Sequence, residues 1–174
     1  MIESIGKDIP KLAKGCMIHS TACVSGNVTL EEGCSVWPTA VLRAEMTGIR
    51  VGKRTNIQDG AIIHINEHQD TVIGDDCTLA HRVVVHGCTI GNRVVVGMGA
   101  VVLDGAVIGD DCIIAAGSVV SPGKVIPPAS MVMGIPGVVK RALRDEEIAG
   151  NLRNAQEYIH FAQVYCNTHP EAIV

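Results

Sequence analysis

The stretch IGNRVVVGMGAVVLDGAVIGDDCIIAAGSVV, residues 90–120, places an aliphatic residue at every sixth position: Ile90, Val96, Val102, Ile108, Ile114 and Val120. A helix returns to one face after about 3.6 residues and a strand after about 2, so a step of six fits neither as a continuous element. It fits a solenoid. Each hexad supplies a short strand and a turn, three hexads close one triangular coil, and parallel strands of successive coils stack about 4.8 Å apart. The same step runs upstream through Ile18, Val24, Leu30, Val36 and Leu42, then Val51, Ile57 and Ile63, then Ile73, Leu79 and Val85. Small or turn-prone residues follow many of these positions, among them Gly52, Gly74, Ala80, Gly91, Gly97, Gly109 and Ala115.

Composition agrees with a narrow prism. The chain is 47% hydrophobic and only 2% aromatic, with 19 glycines, so its core is built from Val, Ile, Leu and Ala. An open α/β sheet would need amphipathic helical stretches between its strands, and none occurs before Pro127. The expected fold class is therefore an all-β solenoid with residues 1–127 as the repeat unit and residues 128–174 as a connector and a C-terminal helix. That helix is read over about residues 143–166, with Asp145 as a cap. Ile148, Leu152, Ala155, Ile159 and Ala162 lie on the face that packs against the solenoid.

With 14 basic against 18 acidic residues and no cluster of either sign, the chain has no electrostatic footprint for nucleic acid or anionic membrane. Its first residues lack an apolar signal core, and no apolar run approaches the roughly 20 residues needed to cross a bilayer. A soluble, cytoplasmic protein with small-molecule or protein partners is expected. The seven cysteines are odd in number and follow no secretory signal, which reads as free thiols.

The step of six breaks in three places: nine residues separate Leu42 from Val51, ten separate Ile63 from Ile73, and five separate Val85 from Ile90. Extra residues in a solenoid project as loops, often on a functional face. Arg43, His64 and His86 each follow the third aliphatic residue of a coil and so form a column, which makes His64 and His86 neighbours about 4.8 Å apart before their side chains converge. Such a pair suits two ligands of one metal. His81 follows the second aliphatic residue of its coil by two, and Asp59 has the same place one coil earlier. His81 thus lies on another face, where it could join the other two across a subunit interface. Three neutral imidazoles with a position left open for water is the layout of a catalytic zinc centre. Cys88, two residues after His86, is a weaker candidate ligand.

The motifs AVLRAE (40–45), TNIQDGAIIH (55–64) and LAHRVVVHGCTIG (79–91) resemble those of the γ-class carbonic anhydrases and their bacterial relatives, within the hexapeptide-repeat proteins. The resemblance implies a left-handed parallel β-helix, against the usual right-handed crossover preference. It implies a homotrimer with metal at each interface, held by His64 and His86 of one chain and His81 of the next, and reversible hydration of carbon dioxide to bicarbonate. It further implies Arg43 and Asp59 as an interface ion pair and Gln58 as a hydrogen-bonding partner of metal-bound water or hydroxide. Zinc is the expected cofactor, and imidazoles accept ferrous iron or cobalt as well.

Two departures from the family pattern bear on activity. Arg43-Ala44-Glu45 stands where many relatives have Arg-Gly-Asp. The acidic proton-shuttling loop of the archetypal enzyme is reduced to NEHQDT, residues 66–71, where Glu67 or His68 would take over the task. The same solenoid also hosts acyl-coenzyme A chemistry. An acyltransferase, a thioesterase and a non-catalytic trimeric scaffold are the alternatives, and GIPG (134–137) is too short to choose among them.

Overall fold

A computed structural model describes residues 1–172 of the chain; residues 173 and 174 of the expected C-terminal segment lie outside the described residues. About seven turns of a left-handed parallel β-helix are followed by one C-terminal helix. Most strands are two residues long, and in those of the regular coils the first residue points outward and the second inward. Val95, Val101 and Ile113 are half-buried, whereas Val96, Val102 and Ile114 are fully enclosed.

Three faces result. The first stacks Val41–Val51 (its N-terminal part), Ile62–His64, Val84–His86, Val101–Val102 and Val119–Val120. The second stacks Met17–Ile18, Ser35–Val36, Asn56–Ile57, Thr78–Leu79, Val95–Val96, Ile113–Ile114 and Ser130–Met133, and ends with Val138–Ala142 in antiparallel pairing. The third stacks Thr71–Ile73, Thr89–Ile90, Val107–Ile108 and Val125–Ile126 beside the C-terminal part of Val41–Val51. Inward positions within the stack are held by their neighbours one coil above and below, as Val96 is by Leu79 and Ile114. Where coils turn from one face to the next, glycines allow backbones to touch: a Cβ on Gly74 would come within 2.7 Å of the Gly91 carbonyl.

The interruptions behave differently from one another. Residues 65–70, between Ile62–His64 and Thr71–Ile73, leave the ladder as a loop. The nine-residue step does not. Val41–Val51 is one continuous strand of 11 residues that runs from the first face to the third, paired with the equally continuous Cys23–Leu30. A register shift between Gly26 and Val28 takes up the extra length, so the added residues bend the strand round the corner.

The helix α1 (Asp145–Thr168) lies along the second face. Its start is set by Glu147, because the Arg144 backbone N–H donates to that carboxylate at 2.9 Å; Asp145 is the first helical residue and does not cap. The buried face is also more polar than the expected apolar stripe. Asn151 and Ala155 are its most enclosed central residues, and the Asn151 amide donates to the carbonyls of Arg93 (2.9 Å) and Cys112 (3.3 Å). Among the described residues no helix is long and apolar enough to cross a membrane.

Candidate metal centre

The parallel ladder pairs Arg43 with His64 and His64 with His86 in strict register, so the column read from the sequence is present. Each side chain sits just past an inward aliphatic residue on the first face, His64 and His86 as the last residues of their strands, and therefore points out of the prism. The Nδ1 of His64 and the Nε2 of His86 face each other at 3.0 Å, with ring centroids 5.0 Å apart. Two nitrogens bound to one tetrahedral ion at about 2.0–2.1 Å would stand about 3.3–3.4 Å apart. The observed 3.0 Å is a hydrogen-bond separation between the two rings, a few tenths of an ångström shorter than that.

The outer nitrogens of both rings are occupied by carboxylates. His64 Nε2 lies 3.0 Å from Glu45 Oε2, and His86 Nδ1 lies 2.5 Å from Asp104 Oδ1. Glu45 is itself held by the Arg43 guanidinium. Burial raises the Glu45 pKa, but the His64 hydrogen bond and the nearby positive charges outweigh it and hold the carboxyl below its usual range. A ring that donates one nitrogen's proton to a carboxylate keeps the other nitrogen for a partner or a metal. The rings therefore offer different atoms, Nδ1 from His64 and Nε2 from His86.

His81 stands apart from this pair, in the turn after Thr78–Leu79, where its Nδ1 lies 3.1 Å from Asp59 Oδ2. Asp59 occupies the same place one coil earlier, so this contact follows from the repeat. Beside it, Gln58 is buried and its amide nitrogen donates to Asn56 at 3.0 Å; Asn56 in turn donates to Thr78 at 2.9 Å. Tyr158 of α1 packs edge-on against Trp37, and its phenol is pushed up by burial and by the nearby Asp59 charge. One chain thus places these histidines in two separate clusters, His64 with His86 in one and His81 in the other. Among the described residues no group of three His, Cys, Asp or Glu side chains in a single chain is arranged to hold a metal ion.

The other candidates fall as follows. Arg43 and Asp59 are not joined within the chain, since Arg43 reaches Glu45 and Asp59 reaches His81. Glu67 and His68 pair with each other at 3.0 Å on the exposed loop. Cys88 faces the core with no exposed surface, and burial pushes its thiol up to about 12; it is a packing residue and not a ligand. Sequence reasoning missed Asp104: the coil after His86 is 17 residues long, with Val85 opposite Val102, so counting places Asp104 level with Gly87 and does not point to its contact with His86.

The chain matches the family model described as bacterial transferase hexapeptide (six repeats) over residues 70–103 and 87–122. It is 41% identical over 163 residues to Protein YrdA of Escherichia coli, covering 90% of this chain and 89% of that one. It is 45% identical over 152 residues to "Probable carbonic anhydrase" of Methanocaldococcus jannaschii, covering 87% of this chain and 96% of that one. A crystal structure from Bacillus cereus, described provisionally as an acetyltransferase, superimposes with a TM-score of 0.94 at 34% identity, covering 97% of this chain and 98% of that one.

Proposed function

The chain belongs to the hexapeptide-repeat family, in its γ-carbonic anhydrase-like group, and from that premise we propose that it is a metal-dependent enzyme that reversibly hydrates carbon dioxide to bicarbonate at the interfaces of a homotrimer. The observation that carries this reading is the pair of imidazole nitrogens 3.0 Å apart, each ring backed by a carboxylate. The half-site on His81 supplies the third ligand from the neighbouring chain. The donor set suits zinc, with ferrous iron or cobalt as alternatives. When bound, such an ion brings the pKa of a coordinated water to about 7 and so supplies hydroxide at neutral pH.

The chain's own groups have the remaining tasks. His81, with Nδ1 on Asp59, has Nε2 left to face the neighbouring pair. Gln58, beside His81 and anchored by Asn56, orients the attacking oxygen. Glu67 and His68, paired and open to solvent, carry the released proton away. Arg43 of one chain and Asp59 of the next close the interface as an ion pair, which serves assembly more than stability.

The test is metal analysis of anaerobically purified protein together with a carbon dioxide hydration assay on the unmodified protein and on Gln58→Ala. The variant should keep its metal and its trimer and lose about 10 to 100-fold in rate, as for groups that orient a metal's partners. An unchanged rate removes Gln58 from the mechanism. Acetyl transfer from coenzyme A without metal-dependent hydration would replace this reading with an acyltransferase, the activity named for the Bacillus cereus relative.

A further inference from the structure

We propose that Asp104 is the positioning residue of His86, accepting the Nδ1 proton so that the Nε2 lone pair is left aimed at the point shared with His64. This inference rests on the metal reading above and adds to it a residue outside the three histidines. A neutral imidazole carries one proton, and the ring nitrogen that holds it cannot ligate. At 2.5 Å from Asp104 Oδ1, Nδ1 is the nitrogen that keeps the proton. Without that acceptor the ring is free to carry its proton on Nε2, which closes the ligand position.

The surrounding backbone is arranged around this contact. Asp104 sits in the turn after Val101–Val102, one coil beyond His86. The Gly105 N–H donates to the Gly87 carbonyl at 2.7 Å, and the Asp104 carbonyl accepts from the Gly123 N–H at 2.8 Å, so the turn is tied to the coils on both sides. Gly87 supplies an independent sign. Directly after His86, it has a φ of +51°, and a Cβ there would stand 2.5 Å from Asp104 Oδ1 and 2.7 Å from Asn66 Nδ2. A side chain at this position would drive the carboxylate off the imidazole, and the left-handed backbone conformation would be strained by it as well. The five-residue step that breaks the hexad rhythm after Val85 is where this glycine lies. The irregularity therefore has a use: it lets the carboxylate of the next coil reach back to the histidine.

Asp104 is about half exposed, with 47% of its side chain accessible, so its replacement leaves the core untouched. The experiment uses full-length protein labelled with ¹⁵N-histidine, stripped of metal and then titrated with cobalt(II). In the metal-free protein the two-bond ¹H–¹⁵N spectrum should show His86 protonated on Nδ1. Asp104→Ala should move that proton toward Nε2 and weaken cobalt binding about 10 to 100-fold. Asp104→Asn, whose side-chain oxygen still accepts, should keep the tautomer and lose less affinity. Gly87→Ala, which displaces the carboxylate without removing it, should resemble Asp104→Ala, and it reads the same two quantities should the alanine variant not fold. Unchanged His86 ring signals in Asp104→Ala overturn the inference whether or not affinity falls, because the carboxylate would then act by charge alone. Equal cobalt binding by Asp104→Ala and unmodified protein also overturns it and leaves the metal reading standing. If unmodified protein takes up no more cobalt than His64→Ala/His86→Ala, the metal reading itself fails and the inference falls with it.

Discussion

Polar atoms at the edge of a dry aliphatic prism are kept where each has a partner, and His64, His81 and His86 illustrate how that is met. Each ring gives one nitrogen to a carboxylate: Glu45 for His64, Asp59 for His81 and Asp104 for His86. Among the described residues no buried side-chain nitrogen or oxygen is left without a hydrogen bond, which is what a core without room for water requires. Inward residues carry the opposite responsibility, since they contribute only apolar burial. Ile114 is fully enclosed and stacked between Val96 and Val132. Ile114→Ala should therefore cost about 2–5 kcal/mol through lost burial and an unfilled cavity. The check is a urea titration, in which the midpoint should fall with little change in slope; an unchanged midpoint would mean that Ile114 does not point inward.

At the scale of elements, strands of two residues have little stability of their own and hold because they are paired with the equivalent strands of adjacent coils, on both sides in the middle of the stack. The helix α1 depends on different contacts. Glu147 at its start accepts from the Arg144 backbone and from both terminal nitrogens of Arg141 at 2.7 and 2.8 Å, and these bonds hold its carboxyl far below the usual range. A depressed carboxyl pKa contributes stability that is fully present above the unfolded value, about 4.3 for Glu. That contribution is lost as pH falls through the folded value. Glu147→Gln should accordingly lower the melting midpoint at pH 7 and flatten the fall in midpoint between pH 5 and 3, both read by circular dichroism at 222 nm. Equal midpoints at pH 7 would mean that the Arg141–Glu147–Arg144 cluster is an idle surface contact.

The proposed trimer makes its clearest demand at the scale of the whole molecule. One chain presents the His64 and His86 pair on one side and His81 on another, so under the proposed reading two copies have to meet to complete the centre. A His81→Ala chain lacks one half-site and a His64→Ala/His86→Ala chain lacks the other. Each alone should be nearly metal-free, because losing one of three neutral ligands greatly weakens an open site. Unfolded together and refolded as a mixture, they should regain metal wherever the first chain's pair meets the second chain's His81. The readout is metal content per trimer after desalting. A mixture that binds no more than its parents would show that the ligands are not shared between chains.

The sequence alone determined the prism, because a coil of fixed length turns spacing into position. Residues six apart share the inward direction, and residues one coil apart share a place in the stack, so the column of Arg43, His64 and His86 and the alignment of Asp59 with His81 could be counted out before any coordinates. Counting stops where the chain departs from the period or where a side chain chooses a direction. Nine residues from Leu42 to Val51 are compatible with a projecting loop or a bent strand, and only pairing with Cys23–Leu30 decides for the strand. The buried role of Asn151 depends on the Arg93 and Cys112 carbonyls, which are 58 and 39 residues away in the chain, so no local pattern discloses it. The contacts of Glu45 with His64 and of Asp104 with His86 likewise belong to the tertiary structure. A repeat fixes where a Cβ starts, but rotamers and neighbouring coils fix where a carboxylate ends, and that last step selects the nitrogen each imidazole has to offer.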